Sequence, residues 1–281
     1  MRPAAKPFRI YFKTSVAALA AIATIAPLPV SAQGDLLIAP TRLVLDGRRG
    51  GEVILNNMGN DEATYRITLE LRRMDEDGNL VPVAESEETA SEKAALEMIR
   101  YAPRRVTLPP DQPQSVRISA RPGADLPDGE YRVHMSFAAL PKVDSVADQE
   151  ASAGDGISIK LTPIYGIVMP IIIRKGELKV TAGLANPRIL HTAQGDAFAI
   201  DMERNGTSSI YGDLLVYPQG ASEPVFVARG LGVYPEINER HAMFGISPEQ
   251  SAALKGPVRV EFRDSVENGG GLIASVDAVL G

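Results

Sequence analysis

The sequence predicts an all-β protein made of two consecutive β-sandwiches, and three observations carry that expectation. Short runs rich in Val, Ile, Leu, Tyr and Thr recur along the 281 residues and are separated by Asp-Gly, Asn-Gly and Pro-rich turns, the spacing of a sandwich. The pattern pauses at Arg174-Lys175-Gly176 and restarts, which divides the chain after an N-terminal segment into residues 33–174 and 175–281. There is no cysteine, so neither disulfides nor thiol chemistry contributes and burial must stabilise each sandwich.

The first 32 residues read as a signal peptide. Arg2, Lys6, Arg9 and Lys13 precede an apolar stretch from Val16 to Ala26, and Val30-Ser31-Ala32 supplies a small-x-small cleavage pattern. Pro27 and Pro29 interrupt the run too early for the ~20 apolar residues that a membrane span needs. Removing the segment's four basic residues moves the formal charge from −6 to −10. A protein this acidic has no overall electrostatic footprint for nucleic acid.

In the first sandwich, strands are expected at Leu36 to Leu45, Gly51 to Asn56, Thr64 to Arg72, Arg104 to Leu108, Ser115 to Ala120 and Glu130 to Ala138. Turn chemistry separates them at Asp46-Gly47, Asn56 to Asn60, Asp77-Gly78-Asn79, Pro109-Pro110-Asp111 and Pro127-Asp128-Gly129. Glu85 to Ile99, charged and alanine-rich, reads as a solvated loop or short inserted helix, and Lys142 to Gly156 as a polar loop.

Ile157 to Arg174 is a long strand that changes character halfway. Ile157, Ile159 and Leu161 alternate with Ser158, Lys160 and Thr162, which puts one apolar face on a period of two. Ile164 to Ile173 is almost continuously apolar and rich in β-branched residues, as in a strand buried on both sides. The first half could serve a partner while the second anchors the strand in its own sandwich. The plainer reading is an ordinary core strand. The second sandwich then supplies Leu178 to Ala182, Ala197 to Glu203, Gly212 to Tyr217, Val225 to Arg229, His241 to Ile246, Val258 to Phe262 and Leu272 to Val276.

Four segments, in their order, give the first domain a family likeness. They are Ala39 to Gly47; Val53 to Asn57; Tyr101 to Pro110 followed by Gln114 to Ile118; and Leu126 to Arg132. With the signal peptide ahead, the long run with Pro170 near its end and a second sandwich behind, the chain resembles the PapD-like periplasmic chaperones of pilus and fimbrial assembly. The resemblance is carried by the first domain and is weak over the second. It implies two immunoglobulin-like domains, a periplasmic location, no catalytic activity and no cofactor or metal. It also implies fimbrial subunits as partners and leaves open an outer-membrane usher.

In that family the last strand of the first domain is lent to a subunit that lacks one strand. The lent strand completes the hydrogen-bond ladder and fills an apolar groove with alternate side chains. The resemblance assigns that filling to Ile157, Ile159 and Leu161, and gives Arg42 the role of holding the subunit's terminal carboxylate through charge-assisted hydrogen bonds. A solvated strand arginine is the plainer reading of Arg42. Counting from Pro170 puts Tyr165 where the family has a second anchoring cation. A register shifted by five residues makes Lys160 that cation, but moves the groove-filling positions toward Ala151 and Ala153. Arg117 and Glu130 resemble an interdomain ion pair. Met169 stands in place of its third member, and Arg132 or Arg174 is available to compensate.

Other constellations are weaker. His134, His191 and His241 are far apart and belong to no hydrolase, metalloprotease or phosphate-loop motif. Asp75-Glu76-Asp77-Gly78-Asn79 starts like a calcium loop without completing it, so a hairpin turn is expected. Asn205-Gly206-Thr207 and Asn268 to Gly271 also read as turns. The alternative to a chaperone is a secreted β-sandwich adhesin or binding module of the same fold.

Overall fold

The computed structural model describes residues 36–141, 165–265 and 269–281. The N-terminal segment expected to be a signal peptide and Ile157, Ile159, Lys160 and Leu161 lie outside the described residues.

The first sandwich contains β1 (Leu36–Ala39), β2 (Leu43–Leu45), β3 (Gly51–Asn57), β4 (Ala63–Glu70), β5 (Arg72–Met74), β6 (Leu80–Pro82), α1 (Ala90–Met98), β7 (Ile99–Ala102), β8 (Arg105–Leu108), β9 (Gln114–Ala120), β10 (Gly129–Leu140) and β11 (Gly166–Lys175). One sheet runs β1-β3-β9-β7 and faces a second, β2-β11-β10-β4-β8. Alternate residues of both sheets, among them Val53, Leu55, Val116, Ile118, Ile67, Val133, Met135, Phe137 and Ile171, fill the space between them.

Two of the chain's crossings between these sheets fall at an Ala-Pro step. The run expected at Leu36 to Leu45 is two strands, β1 in one sheet and β2 in the other, with Pro40 between them. Pro103 likewise separates β7 from β8. A proline has no N–H for a ladder, so it suits the residue where pairing stops.

Between β4 and β7 the chain forms a β5–β6 hairpin and then α1. Asp75 closes the hairpin turn, its Oδ1 accepting from Asp77 N–H at 3.1 Å and Asn79 N–H at 2.8 Å, while Gly78 adopts φ +84°. The acidic segment is therefore the expected turn. Of the two alternatives for Glu85 to Ile99, a short helix forms. Thr89 and Glu92 make a reciprocal capping box at its start. Glu92 also takes Arg73 Nε and Nη2 at 2.7 Å each. That guanidinium holds the Glu92 carboxyl down at about 2 and straps the helix to β5, with Ala95 and Met98 turned into the core.

The second sandwich contains β12 (Val180–Thr192), β13 (Gly195–Gly206), β14 (Ile210–Pro218), β15 (Phe226–Val233), β16 (Glu239–Gly245), α2 (Pro248–Ala253), β17 (Gly256–Arg263) and β18 (Leu272–Leu280). Sheets β12-β13-β16 and β15-β14-β17-β18 enclose a separate core around Phe198, Ile200, Leu214, Val260 and Phe262. The all-β, two-sandwich expectation is met. Residues Gln33–Gly281 nonetheless hold together as one unit, because the sandwiches meet across a specific seam.

Candidate functional site

β11 bears on both the seam and a sheet edge. Its residues Met169, Ile171 and Ile173 point into the first core. Ile172 points the other way and is 0% exposed, packed with Met74 of the hairpin and Tyr234 of the second sandwich. Burial on both sides, expected from the apolar run, thus has two sources: the strand's own core and the neighbouring sandwich.

Polar contacts fix the seam around that apolar centre. Glu130, with its side chain 0% exposed, accepts from Arg174 Nε at 3.2 Å. The same oxygen accepts from Ser209 N–H at 3.2 Å and Ser209 Oγ–H at 2.9 Å. The backbone N–H of Glu130 donates to Thr207 O at 3.1 Å. Arg132 lies 3.6 Å from the Tyr234 ring centroid and pairs with Glu236, whose Oε1 also accepts from Met74 N–H at 2.7 Å. At the hairpin tip, His241 N–H donates to Glu76 O at 2.6 Å.

Behind the seam, buried Arg204 holds two loops together. It donates to the carbonyls of Gly206, Ser208, Pro235 and Ile237 and to Asn238 Oδ1. These loops carry Thr207, Ser209, Tyr234 and Glu236. Burial draws the Arg204 guanidinium down from its ordinary value, but a carbonyl fork of this kind keeps it hydrogen-bonded.

Arg42 lies where β1 hands over to β2. β2 runs parallel to β11, with Leu43 opposite Ile171, so Arg42 falls level with Pro170. Its guanidinium carbon sits 4.4 Å from the centroid of Tyr211 in the second sandwich. Its Nε and Nη2 are buried without a hydrogen-bond partner among the described residues. β2 pairs with Ile171, Ile172 and Ile173 only. Among the described residues, no strand pairs with Gly166 to Pro170 on that side, which leaves an open sheet edge leading to Arg42. Tyr165, just before this edge, is 51% exposed. Its carbonyl accepts from Ala139 N–H at 2.9 Å. Five residues separate it from Pro170, roughly 16 Å of extended chain.

The interdomain assignments need one correction. Glu130 does lie at the seam, but its cation is Arg174, one of the two arginines available to compensate, and not Arg117. Arg117 is exposed on β9, paired with Glu52 of β3 and Ala102 of β7 in the sheet that does not contain Glu130, so the two never meet. The sequence reading missed Tyr211, Tyr234, Arg204, Ser209 and Glu236. Each stands in or beside an ordinary strand or turn, and only the approach of the first sandwich gives it a role.

The histidines do not gather. His134 is buried in the first sandwich; His191 pairs with Asp196 at 2.6 Å and His241 with Asp201 at 3.0 Å in the second. Asp201, Glu239 and His241 bring potential ligand atoms within 4.8 Å of one another. Both Asp201 oxygens, however, face Arg188 Nη1 at 3.4 Å, and Oδ2 accepts from Asn186 at 2.9 Å. A guanidinium in that position already supplies the countercharge, so the group reads as an ion-pair network. No helix among the described residues is long and apolar enough to cross a membrane.

No protein-family model and no curated protein matches the chain. Solved structures do. The E. coli chaperone DraB aligns at 14% identity over 88% of this chain and 96% of its own, with a TM-score of 0.45. The Salmonella enterica SafA pilin–SafB chaperone complex aligns at 16% identity over 87% and 96%, with a TM-score of 0.44. The CsuC–CsuE chaperone–tip subunit complex from the Csu pili of Acinetobacter baumannii aligns at 12% identity over 88% and 98%, also with a TM-score of 0.44.

Proposed function

We propose that this protein is a non-enzymatic periplasmic chaperone. It captures incomplete β-sandwich subunits of a pilus or fimbria by lending them a strand, and it delivers them for assembly, with an outer-membrane usher as the receiving partner. The observation that carries the reading is the open edge of β11 at Gly166 to Pro170, which ends beside a buried arginine edge with no acceptor. An unpaired strand edge is a template for an incoming strand. A guanidinium without a partner suits the carboxylate at a chain terminus.

In this reading residues 33–174 form the capturing domain and 175–281 the domain that backs it across the seam. Ile157, Ile159 and Leu161 fill the subunit's groove. They have the same odd parity as Ile167 and Met169, so a strand continued in register carries all five on one face. Arg42 anchors the terminal carboxylate. Tyr165 stands too far along the strand to share that carboxylate, and Lys160, the alternative second cation, is five residues farther still from Pro170 in the sequence, so Arg42 is the anchor on its own.

The test is co-purification from periplasmic extract, with the bound chains identified by mass spectrometry. Wild-type protein should retain β-sandwich fimbrial subunits, and Ile159→Asp should lose them. Retention by Ile159→Asp would exclude strand lending through this segment. Recovery of the protein at the cell surface without subunits would favour an adhesin or binding module.

A further inference from the structure

Arg42 is held by an aromatic ring and not by a carboxylate, and we infer that Tyr211 is the positioning residue that keeps its carboxylate-binding edge free. The inference rests on the reading of Arg42 as the anchor. It assigns the second sandwich a direct part in subunit capture.

The chemistry follows from which atoms each contact uses. A guanidinium paired with Asp or Glu spends its N–H groups on that partner. One stacked on a ring is held through its face, and the in-plane donors remain available. Nε and Nη2 form one bidentate edge of an arginine, the fork that matches the two oxygens of a carboxylate. Those are the two Arg42 nitrogens that are buried and unpartnered. Buried donors of this kind need an acceptor; both nitrogens are covered in the free protein, so a terminal carboxylate that displaces the cover supplies one at both positions.

The ring's place is built into the fold. Tyr211 on β14 pairs with Gly232 on β15. A side chain at Gly230 would meet the Tyr211 hydroxyl at 3.0 Å, and Gly230 has φ +69°. A side chain at Gly232 would meet Tyr211 Cδ2 at 3.5 Å and Tyr234 Cζ at 3.6 Å. Gly230 therefore leaves room for the ring's hydroxyl end, while at Gly232 the ring lies at ordinary contact distance beside Tyr234, itself covered by Arg132. Where the family resemblance implies a second cation, this chain has the exposed Tyr165. A ring under Arg42 fixes one cation in place where a pair of cations would otherwise share the carboxylate.

The test titrates acetate, and acetamide as the uncharged control, into the full mature chain, while NMR follows the Arg42 Nε–H resonance. In the wild type and in Tyr211→Phe, that proton should be ring-current shifted, and acetate but not acetamide should move it saturably. Tyr211→Leu should lose the ring-current shift and bind acetate about ten-fold more weakly, equivalent to ~1.4 kcal/mol and within the range of a partly desolvated cation–π contact. Tyr211→Met, which fills the space without a ring, replaces the leucine variant if that one does not fold. Unchanged acetate affinity in the ring-less variants, or a weakened Tyr211→Phe, overturns the role of Tyr211 alone. Failure of acetate to move the wild-type resonance overturns the anchor reading itself.

Discussion

Replacing His134 with leucine should remove much of the protein's loss of stability in mild acid. His134 sits on β10 opposite Pro170 and Glu70, is 0% exposed, and neither ring nitrogen has a hydrogen-bond partner. Burial first, then the positive charges of Arg132 and Arg72, press its pKa from 6.5 to about 3. The folded state therefore refuses a proton that the unfolded chain accepts. His134's contribution is full above the unfolded value and is lost progressively as pH falls from 6.5 toward about 3. At pH 5 the unfolded chain gains about 2 kcal/mol from protonating this one side chain, at ~1.4 kcal/mol per pH unit below its ordinary value. Urea unfolding of wild type and His134→Leu at pH 8 and pH 5 isolates the effect, since the carboxylates common to both proteins cancel. The leucine variant should gain about 2 kcal/mol on wild type between the two pH values. A difference that stays constant within about 0.5 kcal/mol, or a His134 ring signal titrating near 6.5 in the folded protein, would refute the assignment of a buried neutral imidazole.

Three further outcomes follow from the seam. Ile172→Ala removes side-chain volume packed between Met74 and Tyr234 and should lower stability by about 2–5 kcal/mol, measured by thermal or urea unfolding. Arg204→Lys cannot reproduce the fork that reaches four carbonyls and Asn238. It should cost about 1–3 kcal/mol through the carbonyls left unsatisfied and raise hydrogen exchange in the two loops that Arg204 joins. Glu130→Gln retains an acceptor for Ser209 and loses a charge pair whose arginine is 39% exposed, so its effect should stay under about 1 kcal/mol and shrink with salt. Glu130→Leu strands the Ser209 donors and should cost about 1–3 kcal/mol. Equal effects of the two Glu130 variants would remove the Ser209 bonds from the account.

Period and turn chemistry made most strands legible. Six runs of the first sandwich and six of the second appear close to their expected places, because alternation and Asp-Gly or Pro-rich turns act within a few residues, whereas β12 runs ten residues past the expected Leu178 to Ala182. The β5–β6 hairpin was legible only as a turn. Its strands are short, and they are held by Glu236 and Tyr234, which are distant in sequence. Strand β7 was missed for a similar reason: Ile99 to Ala102 pairs with β9 but carries too little alternation of its own. The split of Leu36 to Leu45 between two sheets was also invisible, since a hydrophobic run does not state which sheet receives it.

By itself, the sequence determined the all-β class, the restart after Arg174 and the apolar character of β11, since each rests on local composition or spacing, while the candidacy of Arg42 came from the family resemblance. Tertiary structure alone decided what faces those residues. Ile172 is buried by the other sandwich, Glu130 meets Arg174 and Ser209 in place of Arg117, and Arg42 lies on Tyr211. These contacts join residues far apart along the chain. Their partners follow from the way two separate cores pack together, and no periodicity in either sandwich encodes that packing.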